Sequence, residues 1–125
     1  MFAAARKRVD ATWGDKNKDE EYFALAARCD AGLGLKEDAI TEAQRAVDLK
    51  PIAKDSVDGP DLVANLALVY AWTGERDRAL EQLEIVAKIP AGPSYGDLRF
   101  NPSWDSLRGD KRFDKMVAAA KAASR

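Results

Sequence analysis

The chain has 125 residues, of which 46% are hydrophobic and 33% are charged, and this length suits one compact domain or one short repeat domain. The formal net charge of −1 gives no indication of nucleic-acid binding, and no apolar run approaches the ~20 residues that membrane insertion requires. There is no histidine to act as a general base or metal ligand, and the single cysteine, Cys29, excludes an internal disulfide and fits a reducing, cytoplasmic compartment.

Apolar residues recur at the three- and four-residue spacing of helix faces along most of the chain, which predicts an all-α fold. Glycine or proline ends each of these amphipathic segments. In chain order the predicted segments are Phe2–Trp13, Glu20–Leu33, Lys36–Leu49 and Asp61–Pro90, the last being a helical hairpin broken at Thr73-Gly74.

The ends of these segments carry local signals. Asp19 or Asn17 can accept hydrogen bonds at the start of the second helix. Gly74 can take the left-handed conformation that ends a helix, and Glu75 then places negative charge near the start of the next one, where the helix dipole favours it. Residues 52–60 are predicted to form a loop before the hairpin.

The two predicted hairpins are in register with each other. Equivalent residues lie 40 positions apart: Gly34 and Gly74, Ala39 and Ala79, Ala27 and Ala67. Small residues at these positions allow the two helices of a hairpin to approach closely. Because so small a hairpin cannot bury both of its apolar faces, the repeat predicts a stacked array.

This repeat resembles the tetratricopeptide family, whose unit is a helix-turn-helix of about 34 residues with a W-x2-L-G-x2-Y, A-x3-F and P pattern. The matching residues are Phe23, Ala26, Ala27, Ala39, Ala43 and Pro51 in the first copy and Val63, Leu66, Ala67, Tyr70, Ala79, Leu83 and Pro90 in the second. Asp30 stands where the pattern has tyrosine. The resemblance implies one α-α superhelix of short antiparallel hairpins, with repeats at 19–52 and 60–91 and with 1–18 as the second helix and loop of a truncated repeat.

The last segment, 92–125, is predicted to cap the array, because the final hairpin of a solenoid has an apolar side without a neighbour. Arg108 beside Asp105 and Asp110 is expected to fix the cap by ion pairs. The cap would comprise short turns at Ser94–Phe100 and Pro102–Leu107 and a helix at Asp110–Ala120, with Tyr95, Leu98, Phe100, Trp104, Leu107 and Phe113 as its apolar core.

The motif Asn101-Pro102-x-Trp104-Asp105-x-Leu107-Arg108, followed by Asp110-Lys111-Arg112-Phe113, adds a second resemblance. It is similar to the closing segment of bacterial proteins in which tetratricopeptide repeats follow a serine/threonine kinase, an adenylate cyclase or a winged-helix regulator. We therefore expect a non-catalytic scaffold that binds a protein or peptide on its concave face. The alternative is a regulatory or sensory segment that docks on an attached kinase, cyclase or DNA-binding domain. An enzyme would instead need a closed polar pocket with shifted carboxylates, and we predict no catalytic residues, cofactor or metal.

The first helix of each hairpin would line the inner wall of such a superhelix. Trp72 beside Leu68 is predicted to form an exposed apolar spot for a peptide side chain, with Arg28 and Asn65 as polar contacts. Alternatively, Trp72 packs on the cap or on the next helix. Arg28 and Asn65 are too few for the carboxylate capture that some family members perform. The predicted wall comprises Ala24, Arg28, Ala31, Asp61, Ala64, Asn65, Leu68 and Trp72.

Charge is unevenly distributed along the chain. The first 18 residues contain five basic and two acidic side chains, residues 19–90 contain eight and fifteen, and residues 91–125 contain seven and four. Either this is a solvated helical surface, or the basic ends of one molecule attract the acidic middle of another. If the first helix lacks a preceding partner, Phe2, Val9 or Trp13 should be exposed and should promote homo-oligomer formation.

Overall fold

The computed structural model describes residues 2–14, 18–51, 59–87 and 95–123, and every element in these ranges is helical. The all-α prediction is therefore confirmed, whereas most of the predicted loop at 52–60, the candidate cap Asn17 and the repeat residue Pro90 lie outside the described residues. None of the described helices is both long enough and apolar enough to cross a membrane. The elements are α1 (Phe2–Trp13), α2 (Glu20–Gly32), α3 (Lys36–Leu49), α4 (Gly59–Trp72), α5 (Arg76–Ala87), α6 (Tyr95–Phe100), a 3₁₀ helix (Pro102–Leu107) and α7 (Lys111–Ala123).

Two hairpins, α2–α3 and α4–α5, are closed by equivalent turns. Gly34 and Gly74 are both in the left-handed conformation, with φ of 81° and 86°. The backbone N–H of Leu35 donates to the carbonyl five residues earlier at 2.8 Å, and that of Glu75 does the same at 2.8 Å. This hydrogen bond is the one that closes a helix ending in glycine. The second turn repeats the first at an offset of 40 residues, so the predicted register is confirmed.

The main core lies between the two hairpins. Ala27, Ala39, Ala67 and Ala79 are fully buried there, as the need for close helix approach predicts. At the start of α2, the carboxylate of Asp19 accepts a hydrogen bond from the N–H of Tyr22 at 3.0 Å, which confirms Asp19 as the N-cap. Larger side chains fill the remaining space, among them Leu66, Val69, Leu80, Leu83 and Val86.

The C-terminal segment covers the far side of the main core. Trp104 is 3% exposed, and its indole N–H donates to Asp97 Oδ2 of α6 at 3.0 Å. Arg108 donates to the carbonyls of Leu98 at 2.9 Å and of Asn101 at 2.8 Å, so it satisfies the open end of α6. Four of the predicted cap residues are buried in the main core: Leu98, Trp104, Leu107 and Phe113.

Two details of the cap differ from the prediction. Phe100 is 72% exposed and Tyr95 only half-buried, so neither joins the core as predicted, because Leu98 is the residue of α6 that faces it. Arg108 forms the expected ion pair with Asp105 at 2.9 Å, but the expected pair with Asp110 is wrong, since Asp110 pairs with Arg112 at 3.2 Å.

Helix α1 packs along α2 instead of presenting a free apolar stripe. Val9 is buried against Tyr22, and the ring of Trp13 lies 5.7 Å from that of Tyr22. At the other end of α1, the ring of Phe2 lies 5.9 Å from Trp72 of α4. The expected exposure is therefore wrong for Val9, which is buried, whereas Phe2 and Trp13 are half-buried because Trp72 and Tyr22 cover each of them on one side only.

Candidate partner-binding face

Helices α2 and α4 lie side by side and are joined by a polar contact between Arg28 and Asn65. Arg28 Nε donates to Asn65 Oδ1, and Asn65 Nδ2 donates to the carbonyl of Ala24 at 3.5 Å. Asn65 is only 2% exposed, and a buried amide needs partners for both of its ends. Both ends are satisfied within the protein, so Asn65 is a fixed point from which the exposed Arg28 side chain extends.

A cleft of about 310 Å³ opens beside this contact. Its apolar part includes Leu62, which is buried, and Leu25, which is partly exposed. Its charged part includes the carboxylates of Glu21 and Asp61 and the guanidinium of Arg28. Hydrogen-bond donors, acceptors and apolar contact surface therefore occur together, which is the combination that a peptide segment requires.

Trp72 lies near the end of α4 and lines a second cleft of about 440 Å³. Its indole N–H donates to the carbonyl of Ser103 in the 3₁₀ helix at 3.2 Å, and its ring meets Phe2 edge to face. Phe2 also lies against Gly32, where an added Cβ would come within 2.4 Å of the ring. Trp72 thus packs on the C-terminal segment, which is the second of the two predicted alternatives, while 36% of it remains exposed.

The prediction of an exposed apolar spot at Leu68 is wrong. Leu68 is 7% exposed and belongs to the main core. Helix α4 is surrounded by α2, α3, α5 and the 3₁₀ helix, so nearly all of its residues are buried. Of the five predicted partner-binding residues, Arg28, Asp61 and Asn65 line one cleft, Trp72 lines another, and Leu68 lines neither.

A polar cluster between α1, α2 and α3 was not predicted. Arg6 of α1 forms an ion pair with Asp30 of α2, at 3.1 Å from Nε to Oδ1, and its Nη2 donates a hydrogen bond to Glu42 Oε2 of α3 at 3.4 Å. At the edge of this cluster, Tyr22 Oη donates a hydrogen bond to Asp10 Oδ1 at 3.0 Å. The signal in the sequence was Asp30 at a position where the repeat pattern has tyrosine, because a charge on a buried helix face requires a partner.

Glu42 is the residue of this cluster whose pKa is strongly shifted. Its Oε1 atom is buried and meets no hydrogen-bond partner among the described residues. Burial, followed by the nearby carboxylate of Asp30, raises the pKa of Glu42 from 4.5 to about 8, although Arg6 opposes the shift. The raised pKa favours the neutral form of Glu42 beside the ion pair of Arg6 and Asp30.

The free thiol of Cys29 adjoins the same cluster but is not activated by it. Cys29 is buried, and burial together with the charge of Asp30 raises its pKa, so the reactive thiolate is disfavoured. In the described ranges, no three His, Cys, Asp or Glu side chains are grouped so that they could hold a metal ion. The cluster therefore joins three helices, and the neighbouring Cys29 has none of the features of a reactive thiol.

Comparison of the chain with protein-family models, with curated proteins and with solved structures finds no significant match. Function is therefore inferred from the geometry of α2, α4 and their neighbours.

Proposed function

We propose that this chain is a non-catalytic protein–protein interaction module of the tetratricopeptide type, which binds a peptide or protein segment on the face formed by α2 and α4. The proposal is carried by one observation, the open cleft in which Arg28, Asp61 and Asn65 meet beside an apolar surface. Arg28 and Asp61 are exposed and accessible to a partner, whereas Asn65 is buried and keeps Arg28 in place.

The arrangement of the hairpins supports a tetratricopeptide-like superhelix. The turns at Gly34 and Gly74 match at an offset of 40 residues, and alanines occupy the close contacts within each hairpin. In such a superhelix the first helix of each hairpin, here α2 and α4, lines the concave side. The segment from α6 to α7 then acts as the cap of the array.

The chemistry of the cleft suits an extended peptide. Arg28 offers N–H groups to a backbone carbonyl or a carboxylate, and Asp61 accepts from a backbone N–H or a basic side chain. Leu25 is 36% exposed at the same cleft and provides a contact for one apolar side chain. Peptide recognition generally combines backbone hydrogen bonds with a pocket for a side chain, and both elements are available here.

Binding accounts for the charged residues better than catalysis does. Glu42 has a strongly raised pKa, but its carboxyl is closed in by Arg6 and Asp30 and lines none of the clefts described above. A general acid or base must reach the proton that it transfers. The shifted carboxyl is therefore better explained as part of the contact between α1, α2 and α3.

A second candidate function is docking on an attached regulatory domain, and the exposure of Phe100 favours it. Phe100 is 72% exposed, and its ring is flanked by Tyr95 at 6.5 Å and by the guanidinium of Arg99 at 5.7 Å. An exposed aromatic side chain of this kind is a common contact between domains. It lies on α6, away from the cleft between α2 and α4.

Selection of peptides from a displayed random library, followed by calorimetric titration, tests the first function. Arg28→Ala and Asp61→Asn should each weaken a selected peptide about tenfold or more, since each removes a charged hydrogen-bonding group from the cleft. Arg8→Ala, which removes an exposed arginine of α1, is the matched control and should leave affinity unchanged. Circular dichroism should show that all variants are folded.

Two results would contradict the proposal. Peptides whose affinity is unaffected by both cleft substitutions would place the binding surface elsewhere. Binding lost in Phe100→Ala but retained in Arg28→Ala would favour the docking function through α6.

A further inference from the structure

A third cleft, of about 670 Å³, lies between α5 and α7. Its two edges carry opposite charges, acidic on α5 and basic on α7. The apolar lining residues are Leu80, Ala87, Met116, Ala119 and Ala120, and the charged ones are Glu81 and Glu84 on α5 and Arg112 and Lys115 on α7. The cleft is therefore an apolar groove between one negative and one positive edge.

The groove runs along both helices because α5 and α7 lie side by side. Arg112 in the first turn of α7 pairs with Asp77 in the first turn of α5, at 2.6 Å. Later residues of both helices, up to Ala87 and Ala120, line the same cleft. The lining residues span about two turns of each helix, which is enough to contact two successive turns of another helix, since residues three and four apart form one face.

The outer face of α7 has the shape and charge to enter such a groove. Lys111, Lys115, Ala118 and Ala122 follow the four-, three- and four-residue spacing of one helix stripe, and all four are exposed. Alanine side chains allow another helix to approach closely, while the lysines provide positive charge along the same stripe. Helix α7 is thus a narrow ridge with a basic edge.

We propose that two copies of this chain pair with each other, the α7 of each copy lying in the groove between α5 and α7 of the other. Lys115 of one copy then lies along the acidic edge that Glu81 forms in its partner copy. A two-fold axis parallel to the helices produces this arrangement, because it places each α7 next to the other copy's α5. An axis perpendicular to the helices would instead place the acidic edges of the two copies against each other, which is electrostatically unfavourable.

Charge complementarity within the whole chain supports a second copy as the occupant. The acidic excess of residues 19–90 includes α5, and the basic excess of residues 91–125 includes α7. Because the contact is reciprocal, two copies use both grooves and both ridges, so the assembly closes as a dimer instead of growing into a fibre. The inference does not depend on the proposed peptide cleft, which lies between α2 and α4.

Exchange of charges between Glu81 and Lys115 tests the proposal by sedimentation equilibrium. The natural chain should show a monomer–dimer equilibrium between micromolar and millimolar concentration. Glu81→Lys and Lys115→Glu should each weaken the dimer about tenfold or more, because each places like charges opposite one another twice in the symmetric dimer. An equimolar mixture of the two single variants should dimerise again, since a heterodimer has opposite charges at both contacts.

The mixing experiment is decisive because an interaction within one chain cannot produce it. Leu35→Ser, which removes an exposed apolar side chain from the turn between α2 and α3, is the matched control and should dimerise as the natural chain does. A natural chain that remains monomeric at millimolar concentration would overturn the proposal. Binding of another protein's helix in the groove of such a monomer would overturn it in the same way. Single variants that fail to restore each other's dimerisation would also overturn it.

Discussion

Arg6 Nε lies 3.1 Å from Asp30 Oδ1, so an ion pair with a buried carboxylate attaches α1 to α2. The side chain of Asp30 is only 6% exposed, and that of Arg6 is 22% exposed. Breaking such a pair from one side leaves an uncompensated charge in a poorly solvated position. The attachment of the first helix therefore depends on one guanidinium as well as on the packing of Val9.

Replacement of Arg6 by leucine should lower the free energy of unfolding by about 2–4 kcal/mol, because Asp30 would lose its charged partner while remaining buried. Arg8→Leu, two residues away on an exposed face of α1, should change it by less than about 0.5 kcal/mol. Urea denaturation of the two variants measures the difference. Equal midpoints for both would contradict a stabilising role for the pair.

Stability should decrease as pH rises from about 4.5 to about 8. The pKa of Glu42 is raised from 4.5 to about 8 in the folded protein, so the folded state binds more protons than the unfolded state in this window. For one proton the slope is at most about 1.4 kcal/mol per pH unit. Glu42→Gln keeps a neutral side chain of similar shape, so it should flatten the slope and stabilise the protein at pH 8.

The control for this pH dependence is the exposed Glu37 of the same helix, whose replacement by glutamine should leave the slope unchanged. Below pH 4.5 the trend should reverse, since Lys36 lowers the pKa of Glu75 and Arg112 lowers that of Asp110. Carboxylates with a lowered pKa stabilise the folded state while they are ionised, and this stabilisation is lost as falling pH protonates them. If Glu42→Gln leaves the pH dependence of the unfolding free energy unchanged, the proton bound by the folded state belongs to another group.

Two aromatic residues of the C-terminal segment should respond very differently to truncation. Trp104→Ala should cost about 3–5 kcal/mol, because the buried ring would leave a cavity in the main core. Phe100→Ala should cost less than about 0.5 kcal/mol, because most of that ring is exposed to water. Thermal or urea unfolding of both variants decides whether this segment acts as a cap, and equal losses would mean that it does not.

Trp72 should make a moderate contribution to stability. Trp72→Ala should cost about 1–2 kcal/mol, since it removes the hydrogen bond to Ser103 and the contact with Phe2 from a partly exposed position. Trp72→Phe retains a ring beside Phe2 and should recover about half of this loss. A cost for Trp72→Ala as large as that of Trp104→Ala would assign Trp72 to the core alone.

The elements that could be predicted from the sequence are those that depend on neighbours along the chain. Asp19 precedes α2 by one residue and caps it, and Gly34 and Gly74 end helices through local hydrogen bonds. Periodicity likewise identified Ala39 and Ala79 as contact positions. These features follow from residues a few positions apart, so spacing alone reveals them.

The features that could not be predicted depend on residues far apart in the chain. The partners of Arg6, Asp30 and Glu42, lie 24 and 36 positions after it, and no local pattern pairs them. Leu68 is buried because the 3₁₀ helix and α2 cover α4 from directions that the periodicity of α4 does not encode. Phe100 and Leu98 differ in burial because the orientation of α6 decides which of them faces the core.

The proton held by Glu42 has a calorimetric consequence. Near pH 6.5 the folded chain carries this proton and the unfolded chain does not, so unfolding releases it to the solution. The buffer then takes up the proton with its own heat of ionisation. The heat absorbed on melting should therefore depend on whether the buffer is an amine or a phosphate at the same pH, and this dependence should vanish in Glu42→Gln.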